Sequence, residues 1–492
     1  MTPGLVAGGH PAVCEAAATV LAQGGNAYDA AVAAGFAAAV AEPLLTSLGG
    51  GGFLLAHTAA GDSVVFDFFV DTPGRSRPSS AVEPHFEEVV VAFPGSDQTF
   101  NVGRGSVAVP GALAGYLHVH DRLGSLPLAD VLAPALGLAV DGVVVTAMSA
   151  YLVDLLWPIL ERSPASLAWF APRGTPLREG DRLVNRDLAD FLGRLGDDNG
   201  HTFYRGALAE AIAADMAAGG GLVTLADLDG YRVVEREPLA VEYRGHPVLT
   251  NPPPSFGGSL VAVTLGLLEA GGTLPERGSP AHLIGLTESM LETDRIRAAG
   301  GLDGWLAGHR RSSQGTTHVS VADRHGNVAA MTTSNGEGSG YVVPGTGIML
   351  NNMLGEDDLH PDGFHAASPG ERVASMMSPT VVLDPWGDPR LVVGSGGSKR
   401  IRTTIVQVVS AVVDHRLSVD DAVSGPRIHW DGSLLQVEPG WPAESLDALR
   451  RRWPVNEWVE RNLYFGGAHA VVPDAHGAGD PRRGGAALTV AT

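Results

Sequence analysis

The chain changes character abruptly at position 316, and that change constrains the fold more than any other feature. Residues 297–315 are polar and glycine-rich, with Gly300, Gly301, Arg310, Arg311, Ser312, Ser313, Gln314 and Gly315 among them. Such a segment reads as an exposed connection that tolerates a cut. Thr316–Ala322 then alternates, with Thr317, Val319 and Val321 on one face and Thr316, His318 and Ser320 on the other. Asp323–Asn327 (DRHGN) is a hairpin turn signal, and Val328–Ser334 is the return strand. A turn centred on His325 sets Ser334 opposite Thr316, and a slip of one residue would send every side chain to the wrong face.

The rest of the chain is consistent with a large buried core. Its 492 residues allow two or three domains of about 150 residues, or one large unit. Hydrophobic residues make up 45% and charged residues 18%, so a sizeable interior can form. A net charge of −21 argues against the basic face that a nucleic-acid partner requires, and against an anionic membrane surface. Cys14 is the single cysteine, so no intramolecular disulfide forms; in its Ala-rich run it reads as a buried structural thiol. The first ten residues lack a charged start followed by an apolar stretch. The run Ala30–Ala41 falls short of the roughly 20 residues a membrane span needs. The expectation is a soluble, cytoplasmic protein.

Residues 11–23 and 27–41 read as two helices separated by Gly24-Gly25-Asn26, a stop followed by a new start. The glycine loop Ser47–Phe53 (SLGGGGF) precedes strands at Phe53–Ala56 and Ser63–Phe69. A helical region opens at Val107–Gly111 and reaches about residue 220, and the break Asn251–Gly258 (NPPPSFGG) precedes a helix over Ser259–Ala270.

Three elements carry chemistry. A threonine hydroxyl needs a base within hydrogen-bond reach to act as a nucleophile. Cleavage of the Gly315–Thr316 bond would give Thr316 a free α-amine with a reference pKa of about 8, so one residue would supply nucleophile and base together. The turn Gly394–Arg400 (GSGGSKR) follows an apolar strand, and its backbone N–H groups can converge on an oxyanion. It lacks the G-x-x-x-x-G-K-[ST] order of a phosphate loop. The acids of Leu350–Asp358 (LNNMLGEDD) could hold an ammonium or a metal, or could face water; no histidine stands at ligand spacing.

Together these pieces resemble the γ-glutamyltransferase (γ-glutamyltranspeptidase) family, in the family's order along nearly the whole chain. The series runs HPAVCEAAATVLAQGGNAYDAAVAA, SLGGGGF, VAVPG, FYRGALAEAI, DLDGY, NPPPSFGG, TDRIRA, GTTHVSVADRHGN, LNN, SMMSPT, GSGGSKRIRTT and GPRIH. The resemblance implies an α+β fold, the four-layer αββα sandwich of N-terminal-nucleophile hydrolases. It also implies self-cleavage at Gly315–Thr316 into a large fragment, 1–315, and a small one, 316–492. These stay associated as one intertwined unit with no cofactor, and self-association of whole molecules is left open. It places the nucleophile at Thr316, its supporting hydroxyl at Ser334 and the oxyanion glycines at Gly396 and Gly397, or one residue later at Gly397 and Ser398. Asn335, Glu356, Asp357, Ser375, Met376 and Lys399 are the substrate-contact candidates.

The departures from the family concern the substrate. The family arginine that grips a glutamyl α-carboxylate falls at Phe69, and an aromatic ring cannot replace a bidentate guanidinium. The family's serine pair becomes Ser375 and Met376, and its acid after L-N-N falls near Gly355, with Glu356 and Asp357 as shifted stand-ins. Of the 33 basic side chains all but Lys399 are arginine; Lys399, Arg75 or Arg400 is the candidate replacement for the carboxylate contact. The implied activity is transfer of a γ-glutamyl or related acyl group from a small amide to water or an amine, of the glutathione-hydrolase type. The alternative is an acylase acting on a glutaryl or other N-acyl amide. A processed but inactive binding protein is disfavoured by the intact Thr316, Ser334 and glycine turn.

Overall fold

The computed structural model describes residues 3–76, 84–93, 96–299, 315–356, 359 and 363–491. Two antiparallel sheets pack face to face, each covered outside by helices. The first has seven strands in the spatial order Ala486–Val490, Gly4–Gly8, Thr317–Ala322, Val328–Ser334, Gly51–His57, Ser63–Phe68 and Val234–Arg236. The second has six, in the order His476–Gly479, Gly467–Val472, Pro389–Gly396, Thr380–Leu383, His246–Thr250 and Leu239–Tyr243. Helices Pro11–Ala22 and Ala27–Ala41 share one apolar core with Val319 and Val321 of the first sheet. Helices Phe256–Ala270, Pro280–Ala298 and Arg400–Val413 share another with the second sheet. This is the expected αββα sandwich. Both sheets contain strands from before and from after residue 315, so neither sheet is complete without both parts of the chain.

The first two helices show how local sequence sets these layers. Gly24, at φ 93°, ends the first in a left-handed conformation that costs glycine little. Asn26 starts the second through a capping box, accepting from the backbone of Tyr28 and Asp29 while Asp29 accepts from the Asn26 N–H. All fifteen residues of that helix are buried. A helix that is apolar all round is stable only inside, and its alanines let neighbours approach closely. Cys14 is buried, its thiol donates to the Ala486 carbonyl, and burial pushes its pKa up to about 12. A thiol held protonated is inert, as a structural residue should be.

The hairpin forms in the expected register, with Thr317 opposite Thr333 and His318 opposite Thr332. The helix expected at Ser259 starts three residues earlier, at Phe256. The region from 107 to 220 is mainly helical but holds a two-stranded pair, Val143–Val144 with Arg182–Leu183. The Pro280–Ala298 helix runs into the segment read as a linker, and residues 300–314 of that segment lie outside the described residues. No described helix is long and apolar enough to cross a membrane.

Candidate active site

Thr316 sits at the start of the inner strand Thr317–Ala322, and its alternation points Thr316, His318 and Ser320 toward the second sheet. Ser320 reaches the Val392 and His469 carbonyls there, and Gly394 is glycine because a Cβ would meet the His318 ring at 2.3 Å. Thr316 and Ser334 are buried, 6% and 4% exposed. The Thr316 hydroxyl donates to Ser334 Oγ at 3.3 Å, and the Ser334 hydroxyl donates in turn to the Gly315 carbonyl. The Gly336 N–H donates to Ser334 Oγ at 3.1 Å and so orients that hydroxyl.

The peptide around Thr316 is held at both ends. Upstream, the Gly315 N–H donates to Glu337 Oε1 at 3.2 Å. Downstream, the Arg483 guanidinium donates to the Thr316 carbonyl at 2.9 Å. Burial, then nearby Arg400, draws the Arg483 pKa down to about 10. Close backbone approaches require glycine on three sides. A Cβ at Gly315 would lie 1.7 Å from the Gly336 carbonyl, one at Gly396 would lie 2.3 Å from the Thr316 carbonyl, and one at Gly50 would lie 2.2 Å from the Ser334 carbonyl. The SLGGGGF loop therefore lets Ser334 reach its place. Beyond Gly396, Gly397 (φ 115°) packs on Gly466, and Ser398 takes φ 51°. A non-glycine residue in the left-handed region is strain held by its surroundings.

Thr316 and Ser334 open onto a cavity of about 310 Å³. Its apolar wall is Phe69, Met353, Leu359, Met376, Met377 and Ile401, with Ser375 and Ser398 as small polar members. Glu356 is the only charged residue among the described lining residues. Phe69 stacks on Phe53 with centroids 5.6 Å apart. A second cavity, of about 390 Å³, lies on the Gly315 side, walled by Leu45, Met148, Leu152, Leu155, Leu156 and Leu463 with Glu337 and Arg483.

The cavity therefore gathers Thr316, Ser334, Glu356, Ser375, Met376 and Phe69, as the sequence suggests. Gly396 stands beside Thr316 and Gly397 against Gly466, while Ser398 is the member of that turn that reaches the cavity wall. Asn335 is buried just behind it, its backbone N–H donating to the Leu45 carbonyl, but it does not line the cavity. Asp357 lies outside the described residues. The three candidate replacements for the missing arginine are not in the wall. Arg75 faces Asp71 at 3.8 Å, Arg400 donates to the Tyr464 carbonyl and lies over its ring, and Lys399 occupies the N-cap of the Arg400–Val413 helix. Arg372 is close to Phe69 but bonds to its carbonyl and pairs with Asp67 and Asp71.

Several residues of the site are not legible in the sequence. Met353, Leu359, Met377 and Ile401 are apolar residues like many others. Arg483, in DPRRGG, reads as surface charge but is buried. Asn351 of the L-N-N segment is a staple: it bonds Gly49 and Ala108 through its amide nitrogen and accepts from Ala108 and Met353.

Comparison with known proteins gives a consistent result. The gamma-glutamyltranspeptidase family model matches residues 14–299 and 294–490. The chain is 35% identical to an acylase ACY 1 proenzyme of Pseudomonas sp. (strain V22), over 95% of this chain and 89% of that protein. It is 32% identical to a glutathione hydrolase proenzyme of Escherichia coli (strain K12), over 97% of this chain and 90% of that protein. Among solved structures, cephalosporin acylase from Bacillus halodurans superposes with a TM-score of 0.83 at 26% identity, covering 99% of this chain and 96% of that one.

Proposed function

Since the chain belongs to the gamma-glutamyltranspeptidase family, we propose that it is a self-processing amide hydrolase whose nucleophile is Thr316 and whose acyl pocket takes an apolar group without a carboxylate. The observation that carries the acyl assignment is the cavity wall, which offers six apolar side chains, no arginine, lysine or histidine among its described residues, and one carboxyl, Glu356. A glutamyl α-carboxylate or a terminal glutaryl carboxylate would be desolvated there with no cation among the described lining residues and beside the Glu356 carboxyl group.

Maturation begins when Thr316 Oγ attacks the Gly315 carbonyl, the hydroxyl proton passing to Ser334 Oγ or water. The Ser334 hydroxyl, already bonded to that carbonyl oxygen, stabilises the charge that develops on it. Collapse breaks the Gly315–Thr316 C–N bond as the nitrogen takes up the proton given by the hydroxyl, which frees the Thr316 α-amine and leaves a Gly315 ester on Oγ. Water then hydrolyses the ester to a Gly315 carboxylate and the Thr316 hydroxyl. Fragments 1–315 and 316–492 stay together because each supplies strands to both sheets.

In turnover the α-amine accepts the Thr316 hydroxyl proton as Oγ attacks the substrate carbonyl. N–H groups of the Gly396–Ser398 turn hold the oxyanion. The amine leaves with the proton, and the acyl-threonine ester passes to water or to a second amine. The likeness to the Pseudomonas acylase proenzyme supports this reading.

A second reading keeps the mechanism and makes the acyl group γ-glutamyl. It is favoured by Glu356 and Ser375 in the wall, which suit a substrate ammonium, and by the likeness to the E. coli glutathione hydrolase proenzyme. Chromogenic anilides of γ-glutamate, glutarate and a straight-chain fatty acid separate the two. The apolar anilide should show the largest kcat/KM, and a γ-glutamyl anilide that exceeds it would overturn the first reading.

A further inference from the structure

A small pocket lies in the outer layer of the second sheet, between the helices Pro280–Ala298 and Arg400–Val413. It shares no lining residue with the acyl cavity. Ile401 lines the latter, whereas Gln407, Ser410 and Ala411 line the former. At 1.5 Å per residue they are about 9–15 Å apart along one helix.

Several of the polar groups around it are donors without a hydrogen-bond partner among the described residues. The Arg277 guanidinium lies 5.2 Å over the Trp441 ring and forms no hydrogen bond or ion pair with a described residue. Trp441 Nε1, His415 Nε2 and Arg427 Nε are buried and likewise without a hydrogen-bond partner. Arg427 is 2% exposed and Trp441 8%. His282 Nδ1 accepts from the Gly278 N–H at 3.2 Å, so a neutral His282 carries its proton on Nε2. Its ring stands perpendicular to that of His415, with centroids 4.9 Å apart. Burial first, then His415 and Arg277, pulls the His282 pKa down to about 4, with Asp414 acting the other way. No Asp or Glu is among the lining residues. Two acids lie nearby and their charges act on Arg277, His282 and His415, but their hydrogen bonds go elsewhere: Asp414 accepts from Arg244 at 2.8 Å and from the Tyr243 hydroxyl, and Asp421 accepts from Ser418 Oγ at 2.7 Å.

A buried donor without an acceptor costs about 1–3 kcal/mol, and this cavity collects several beside an unpaired guanidinium. We propose that it is a binding site for one small oxyanion, a phosphate or a carboxylate, with Arg277, Trp441 Nε1–H and His282 Nε2–H as its principal donors. An oxyanion presents several acceptor lone pairs to donors converging from different elements, and a charge-assisted bond to guanidinium is the strongest of them.

The test is isothermal titration calorimetry of the whole protein at low ionic strength, with inorganic phosphate and with glutarate, on wild type, R277M and W441F. Saturable binding of one anion per chain is expected, weakened about tenfold or more in R277M and by a smaller factor in W441F. Phosphate alone or glutarate alone identifies which oxyanion the site takes. Neither substitution touches the acyl cavity, so wild-type turnover of the best anilide certifies that each variant is folded. W441F keeps the ring under Arg277 and serves if R277M does not fold. No saturable heat with either anion, or binding unchanged in the variants, would overturn the proposal.

Discussion

The Ser334 hydroxyl donates a hydrogen bond to the carbonyl oxygen of Gly315, the residue whose peptide bond must break if Thr316 is to become an N-terminus. The same Ser334 oxygen receives the Thr316 hydroxyl at 3.3 Å. One side chain therefore touches both the attacking oxygen and the bond under attack. Thr316→Ala should remain a single chain on a denaturing gel, with intact mass unchanged. Ser334→Ala loses a donor to a developing oxyanion, an effect of about 3–4 kcal/mol, so cleavage should slow by a factor of roughly 10²–10³. Ser334→Thr keeps the hydroxyl and should cleave within about tenfold of wild type. A Ser334→Ala chain that cuts at the wild-type rate would remove Ser334 from the mechanism.

Gly315 is fixed by sterics before it is fixed by chemistry. A methyl group there would meet the Gly336 carbonyl at 1.7 Å, and neither backbone can retreat without breaking the bonds to Glu337 and Ser334. Gly315→Ala should give a soluble chain that does not self-cleave, with a lowered Tm. Gly285, within the helix Pro280–Ala298, has nothing within 4 Å of its missing Cβ. Gly285→Ala should raise stability by about 0.5–1 kcal/mol through helix propensity and leave cleavage unchanged. Thermal unfolding and a cleavage time course on the pair separate the two kinds of glycine.

Much of this arrangement is written locally in the sequence. The hairpin register follows from strict alternation around DRHGN, because period two allows only one placement of Thr316, His318 and Ser320 on an inner face. The two N-terminal helices follow from Gly24 and from Asn26 with Asp29 three residues later. Of the cavity beside Thr316, the sequence offers Ser334, Glu356, Ser375, Met376 and the missing arginine at Phe69. The rest of its wall, Met353, Leu359, Met377 and Ile401, comes from segments far apart in the chain, and nothing in an apolar residue's neighbours says which cavity it will face. Arg483 was invisible for the opposite reason: arginine is an exposed residue by habit, and its burial depends on the Thr316 carbonyl brought to it by the fold.

Phe69 measures what the acyl cavity selects. Its ring stacks on Phe53 and closes the apolar wall near Met376. Phe69→Leu keeps an apolar side chain but removes ring contact. Pocket contacts of this size discriminate by about 1–3 kcal/mol, so kcat/KM on an apolar acyl anilide should fall roughly tenfold while the small γ-glutamyl rate stays flat. Steady-state kinetics on the two anilides checks it. An equal fall on both would mean that Phe69 acts on folding or on Thr316 and not on the acyl group.

Glu42 gives the site a pH signature. It lies at the end of the buried helix Ala27–Ala41, where the Thr317 hydroxyl donates to its carboxylate at 3.1 and 3.2 Å. Burial pushes its pKa up to about 7, with the Thr317 bond and the Arg483 charge pulling the other way. A carboxyl whose folded pKa exceeds its unfolded value of about 4.3 binds its proton more tightly in the folded state. Its contribution is therefore fully present below about pH 4.3 and is lost as pH rises through about 7. The loss between pH 5 and 8 should approach about 3 kcal/mol, at 1.4 kcal/mol per unit of pKa difference. Glu42→Gln keeps a neutral group of the same shape and should lack this component. The nearby His10, drawn down to about 4 by burial, titrates with the opposite sign in wild type and variant alike. The readout is accordingly the difference between wild type and Glu42→Gln in urea unfolding at pH 5 and pH 8. The variant should be the more stable protein at pH 8 and close to wild type at pH 5, whereas a constant gap across that range would mean that Glu42 does not titrate there.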